Sequence, residues 1–319
     1  MKALLLCLLL GVPGLARGQE SPVLSQDDIL REFFWDRFQQ LPRTERPRLA
    51  LVLSGGGARA LAHVGVLEAL VRQGFDFDIV AGTSMGSMVG ALYASGMSPS
   101  EIRDLTPKMN LAQRKIMTPT TMFGLMFAGS LISSDPIQEF VTKVLGNKRF
   151  DQLKRPFGCV ATDLRTGEKI VFREGEVAPA VRSSMNLPGL LAPMEYRHRL
   201  LVDGGVVDYV PVDVAQMLGA QWILSSLTEG EITRQEIDNV FLTLQQVIDI
   251  RGSLLAQNLL RQSDIVVKPA AGHIGTFDFE KADEAIRLGV IAGRLAAPKA
   301  KEDLALKTLP AVLKAWQAR

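Results

Sequence analysis

The chain has 319 residues, 47% of them apolar and 6% aromatic, with 36 basic and 34 acidic side chains. That is enough to bury a large core in one domain or two. A formal charge of +2 gives no global electrostatic pull toward nucleic acid or anionic lipid. Two cysteines, with no CxxC or HExxH spacing, supply neither a disulfide framework nor a ligand set for a metal, and no cofactor is expected.

In chain order, Met1 to Gly18 reads as a signal peptide: Lys2, an apolar run from Ala3 to Leu10, then Ala16-Arg17-Gly18 as a small-x-small cleavage site. The apolar run is too short to span a bilayer. A buried or anchoring helix is the alternative, and Pro13 and two glycines oppose it. Export to the periplasm or medium is the expectation. Cleavage would remove Lys2 and Arg17, leaving 34 basic against 34 acidic groups, and would leave Cys159 as the sole thiol, within the apolar run FGCVATDL.

Residues 19–47 read as a linker carrying a short helix. Ser25 to Asp28 resembles a capping box, and Ile29, Phe33 and Trp35 to Leu41 form a broad apolar face that packs on the body or meets a membrane. From residue 48 to 319 the pattern alternates. RLALVLSGGG, FDIVAGTS, FGCVATDL, EKIVFREG, RLLVDGG, WILSSL and DIVVKPA read as strands. HVGVLEALVRQG, MVGALYASG, PVDVAQMLG, EIDNVFLTLQQVIDIRGSLLAQNLLRQ and DFEKADEAIRLGVIAGRLA read as helices. Alternation of this kind predicts one α/β domain, a three-layer α/β/α sandwich with a mostly parallel central sheet.

Three segments carry chemistry. Gly82-Thr-Ser-Met-Gly86 is a G-x-S-x-G between a strand and a helix, the spacing of a sharp turn that presents Ser84 between the small flanks Gly82 and Gly86. A tight packing turn is the plainer reading. Gly55, Gly56 and Gly57 end another strand, where backbone amides can face a phosphate or the oxyanion of an acyl carbonyl. The phosphate-loop and dinucleotide spacings are absent. Arg59, two residues on, either adds positive charge to that site or anchors the loop. Asp203 ends the run LLVD before two glycines, aimed into a cleft or forming a turn. A carboxylate whose pKa is raised by burial can serve Ser84 as a base without histidine. His63 sits on a helix and His198 in a charged segment. His273 follows Ser84 and Asp203 in the chain order of a Ser-Asp-His triad, which stays open as an alternative.

Together, Ser54-Gly-Gly-Gly-Ala-Arg59, Gly82-Thr-Ser-Met-Gly86 and Asp203-Gly-Gly205 resemble the patatin-like phospholipase family, as do Ala161 to Phe172 and Val181 to Met194. The resemblance runs from about Leu51 to Gly289. It implies a patatin-like fold, with Ser84 as nucleophile, Asp203 as its catalytic partner and the Gly55 to Gly57 loop as oxyanion hole. It also implies lipid acyl hydrolysis without a metal. The expected activity is hydrolysis of phospholipid or lysophospholipid acyl esters through a Ser-Asp dyad and an acyl-enzyme. Ala60 departs from the family's glycine and Tyr209 from its asparagine, while Asn186 and Leu191 replace Ser and Phe. Ala60 and Tyr209 leave a second reading, a lipid-binding protein of weakened catalysis. Met117, Met122, Phe123, Met126 and Phe127 are expected either to line an acyl entry or contact a bilayer, or to cap the core.

Overall fold

The computed structural model describes residues 25–116, 131–231 and 240–317. The expected signal peptide and the Met- and Phe-rich stretch from Met117 to Phe127 lie outside the described residues.

Strands β1 (Leu49–Leu53), β2 (Ile79–Thr83), β3 (Phe157–Asp163) and β7 (Trp222–Ser226) are buried at every residue. Parallel strands covered on both faces favour near-continuous apolar runs, and polar residues enter these only at their C-terminal ends, at Thr83, Thr162, Asp163, Ser225 and Ser226. With β4 (Lys169–Phe172), β5 (Met194–Tyr196), β6 (Arg199–Asp203) and β8 (Ile265–Val267) they form one sheet. Its order is β5-β6-β3-β2-β1-β7-β8, with β4 attached to β3. The β3-β2-β1-β7-β8 block is parallel, whereas β4 and β6 run antiparallel to β3. The sheet is mixed and mostly parallel. Strand β5 has only three residues, too few to show a period, and pairs with β6 across Arg197 and His198, both at positive φ.

Side chains alternate across the sheet. Leu49, Leu51 and Leu53 join the larger core, while Ala50 and Val52 join the smaller core on the opposite face. Among the described helices, α1 (Gln26–Gln40), α2 (Ala62–Arg72), α3 (Met85–Ala94), α4 (Pro99–Ile116), α5 (Asp135–Leu145) and α6 (Val177–Ser184) contribute to the larger core. Short α7 (Val212–Met217) and α8 (Val240–Leu260) contribute to the smaller one. This is the expected three-layer arrangement.

The last helix, α9 (Ala282–Gln317), runs past the expected end near Ala296 and through Pro298 and Pro310. Each proline removes a helical donor. The helix persists because Ala300, Leu304, Thr308 and Val312 pack inward on the far side of the first break. No described helix is long and apolar enough to cross a membrane.

Helix α1 opens with the anticipated capping box: the Asp28 amide donates to Ser25 Oγ and the Ser25 amide to Asp28 Oδ2, both at 3.1 Å. It packs on the body, burying Trp35 and Phe38, and Trp35 Nε1 donates to the Gln73 carbonyl at 3.1 Å. Lys301 of α9, itself buried, donates to both Glu32 carboxylate oxygens at 2.8 and 3.0 Å.

The start of α3 is locked against β1. A Cβ at Gly86 would stand 2.4 Å from the Ser54 carbonyl oxygen and 2.5 Å from that of Leu53, both backbone atoms. At Gly90, one turn on, it would meet side chains alone: Phe157 and Val80 at 3.1 Å and Leu53 at 3.8 Å. Gly86→Ala should therefore lower stability by about 1–3 kcal/mol. Gly90→Ala, which gains helix propensity of about 1 kcal/mol, should come out near neutral. Urea unfolding midpoints of the two variants check this contrast.

Candidate active site

Sheet register brings Ser84 and Asp203 together. Along one edge of β3, β2 pairs as far as Val160, opposite Thr83, and β6 takes over at Ala161, opposite Asp203. Both must share that edge, because β4 occupies the other along Cys159 to Thr162. β2 runs parallel to β3 and β6 antiparallel, so the two strands approach head to head. The residue after Thr83 and the last residue of β6 then meet, and Ser84 Oγ donates to Asp203 Oδ2 at 2.6 Å.

Ser84 holds a backbone conformation that L-residues rarely adopt, φ 54° and ψ −127°. Neighbours over-determine it, as stored strain requires. The Ser84 amide donates to Ser184 Oγ at 2.9 Å, and Ser87 Oγ donates to the Ser84 carbonyl at 2.6 Å. Gly82 and Gly86 allow the turn: a Cβ on Gly82 would fall 2.4 Å from the Gly86 carbonyl oxygen.

Asp203 is held just as firmly. Its amide donates to the Asn186 carbonyl at 2.9 Å, and its own carbonyl accepts from Thr162 Oγ1 at 2.8 Å. Oδ1 accepts from the Gly205 amide at 2.8 Å. Burial pushes its carboxyl pKa up to about 6, against the lowering effect of the Ser84 and Gly205 hydrogen bonds, and the charge of Asp249 adds to the rise. The result is a carboxylate more basic than an exposed one, 2.6 Å from a hydroxyl.

The glycine loop lies alongside, and the structure narrows which of its groups face the cleft. The Gly55 amide is committed to the Tyr209 carbonyl at 3.1 Å, so Gly55 is not an available oxyanion donor. The Gly56 and Gly57 amides donate to no partner among the described residues. Both glycines have positive φ, 142° and 57°, which turns the peptides away from the strand. Arg59 resolves to the anchoring alternative. Its fully buried guanidinium pairs with Asp249 at 2.8 Å, and Nη1 donates to Thr276 Oγ1 at 3.1 Å and Nε to the Thr228 carbonyl at 3.4 Å. Those bonds commit it to the protein rather than to a substrate oxygen.

Ser84, Asp203, Gly55, Gly56 and Gly57 line one cleft open to solvent. Its apolar wall includes Met185, Leu187, Leu190, Leu191, Phe277 and Phe279.

His273 is not among the lining residues; its Nε2 lies 2.8 Å from Glu284 at the surface. The geometry therefore gives the triad alternative no support. His63 is fully buried, 2.8 Å from Ser226 Oγ and 3.0 Å from the Ser54 carbonyl, and burial lowers its pKa to about 4, so it braces the loop as a neutral ring. The Ala60 methyl is buried in the larger core, away from the cleft. Tyr209 donates its hydroxyl to the Thr228 carbonyl at 2.8 Å, and its ring fills the space between Gly55 and Gly252. Sequence reasoning missed Ser184, Thr228, Thr276 and Asp249. Ser184 falls in a segment that carried the family resemblance; the other three sit in runs with no motif.

A family model for patatin-like phospholipases matches residues 51–215. An uncharacterized NTE family protein of Mycobacterium tuberculosis is 36% identical over 169 residues, covering 52% of this chain and 45% of that protein. A patatin-like phospholipase domain-containing protein of Caenorhabditis elegans is 32% identical over 322 residues, covering 86% of this chain and 23% of its own length. The chain thus spans about half or less of the curated relatives it matches. Human GIVD cytosolic phospholipase A2 superposes with a TM-score of 0.50 at 12% identity, covering 88% of this chain and 64% of that one, which is a likeness of fold. With a family match across more than half its length, spanning the glycine loop, the serine turn and the strand-end aspartate, the chain belongs to the patatin-like phospholipase family.

Proposed function

We propose that this protein is a serine lipid acyl hydrolase that cleaves phospholipid or lysophospholipid acyl esters through a Ser84–Asp203 dyad. The observation that carries the reading is the 2.6 Å hydrogen bond from a strained, strand-end serine to a buried aspartate of raised basicity. Ser84 Oγ attacks the ester carbonyl carbon while its proton passes to Asp203 Oδ2. The carbonyl oxygen becomes an oxyanion facing the Gly56 and Gly57 amides. Collapse breaks the acyl–oxygen bond, and the leaving alcohol takes the proton from Asp203. Water then attacks the acyl-Ser84 carbonyl, gives its proton to Asp203, and Ser84 regains that proton as the fatty acid departs. The leucine, methionine and phenylalanine wall suits an acyl chain. The leader-like pattern from Met1 to Gly18 supports a site of action outside the cytoplasm.

Mass spectrometry of products from mixed phospholipids tests the reading. Ser84→Ala should abolish both fatty acid release and labelling by a fluorophosphonate probe. Asp203→Asn should lower kcat by about 10²–10⁴-fold. Wild-type protein that is folded yet neither labelled nor active would overturn the proposal. Since Asp203 must be ionised to accept the proton, kcat/KM should fall about tenfold per pH unit below about pH 6. His273→Ala should leave the rate unchanged, and its loss in that variant would restore the triad.

The raised pKa has a stability counterpart. Below about pH 3.8 Asp203 is protonated in both folded and unfolded states; between there and about pH 6 only the folded state keeps the proton. Its contribution is therefore fully present at low pH and is lost as pH rises through about 6. Asp203→Asn should raise Tm more at pH 8 than at pH 5, read by calorimetry.

A further inference from the structure

In helix α8 (Val240–Leu260), the buried positions among the described side chains are small or polar. Gln246, Asp249, Gly252 and Ala256, which recur on one face, are buried, while Leu244, Val247, Ile250 and Leu254 are 39–61% exposed. Apolar packing by this helix comes from Ala256 and the half-buried Leu259 and Leu260 near its end, not from a continuous stripe. The strongest interaction on that face is ionic: Asp249 Oδ1 to Arg59 Nη2 at 2.8 Å, with the Arg59 side chain fully buried.

Arg59 is in turn the hub of the glycine loop. Its guanidinium reaches Thr228 after β7 and Thr276 before α9. Thr228 Oγ1 donates to the Gly55 carbonyl at 2.8 Å, and the Thr276 carbonyl accepts from the Ala58 amide at 2.9 Å. The Arg59 stem lies beside Gly56, where a Cβ would come 3.2 Å from its Cγ. Fixing the guanidinium therefore fixes both ends of the segment that presents the Gly56 and Gly57 amides. Asp249 also lines the cleft with Asp203.

We propose that Asp249 is a positioning residue of the active site: it holds Arg59 out of the cleft so that the glycine loop keeps its free amides aimed at the reacting carbonyl. The inference rests on the reading of Ser84 and Asp203 as the reacting pair. The charge of Asp249 adds to the rise of the Asp203 carboxyl pKa, and Asp249 is itself paired with Arg59 and close to Tyr209. The groups bonded to Asp203 from β3, the turn after β2, α6 and the residues just beyond it, Thr162, Ser84 and Asn186, carry no charge at neutral pH.

The test uses the full chain, with a soluble p-nitrophenyl ester for kcat and KM and a fluorophosphonate for the rate of Ser84 labelling. Asp249→Asn should lower kcat and labelling on the order of 10²-fold, the usual loss of an oxyanion donor, with KM within about twofold. Its acid limb should move to lower pH, because the neighbouring anion is gone and the Arg59 cation is left uncompensated. Asp249→Glu should restore most of the rate. A purely structural role would lower the folded fraction without moving the acid limb. Should Asp249→Asn fail to fold, Arg59→Met with Asp249→Leu removes both buried charges together, a replacement that buried ion pairs tolerate. That double variant should fold and remain slow. A folded Asp249→Asn with the wild-type kcat and acid limb, or a double variant with the wild-type kcat, overturns the proposal while leaving the dyad standing. A Ser84→Ala that stays active overturns the dyad itself.

Discussion

The site depends on one constraint of sheet geometry. Two strands that run in opposite directions share the same edge of β3 and stop one residue short of each other, Thr83 opposite Val160 and Asp203 opposite Ala161. The hydroxyl and carboxylate need no long loop to find each other; they are the natural ends of two hydrogen-bonded elements. Backbone and side-chain bonds from Ser184, Asn186 and Thr162 then remove the remaining freedom. Rigid elements hold reacting groups more accurately than loops, and here both partners are carried by one sheet.

The neighbouring loop follows a different logic. Its glycines supply the conformational freedom to turn amides outward, and freedom alone would leave them disordered. The cost of burying Arg59 is offset by bonds to three separate segments, after β7, before α9 and on α8. An arginine next to a glycine run reads in sequence as a charge offered to a ligand. In the fold it is turned inward and serves as a peg.

Much of this was legible in the sequence because the relevant signals are local. Buried parallel strands are mostly apolar runs, and a G-x-S-x-G after such a run gives both the turn and the hydroxyl presented at the cleft. Asp203 stood out for the same reason, at a strand end before two glycines. What stayed hidden depends on distant partners. That the Gly55 amide is used by Tyr209, or Arg59 by Asp249, follows from contacts 154 and 190 residues apart in the numbering. Helix α9 continued through two prolines because packing outweighed local propensity, and β5 was too short for any period to declare it. Ala60 departs from the family's glycine beside the loop; the direction of its methyl, into the core, is set by a helical turn that the sequence does not announce.

The head-to-head strands have a consequence for how the protein comes into being. The two oxygens belong to residues 119 positions apart, and the second strand docks only onto an edge that β3 must already offer. A chain ending at the serine turn would lack both Ser184, which helps to hold the strained Ser84 backbone, and Asp203. The serine–aspartate pair therefore forms only when the segment ending at Asp203 completes the ladder, and the glycine loop beside it waits for Thr228, Asp249 and Thr276.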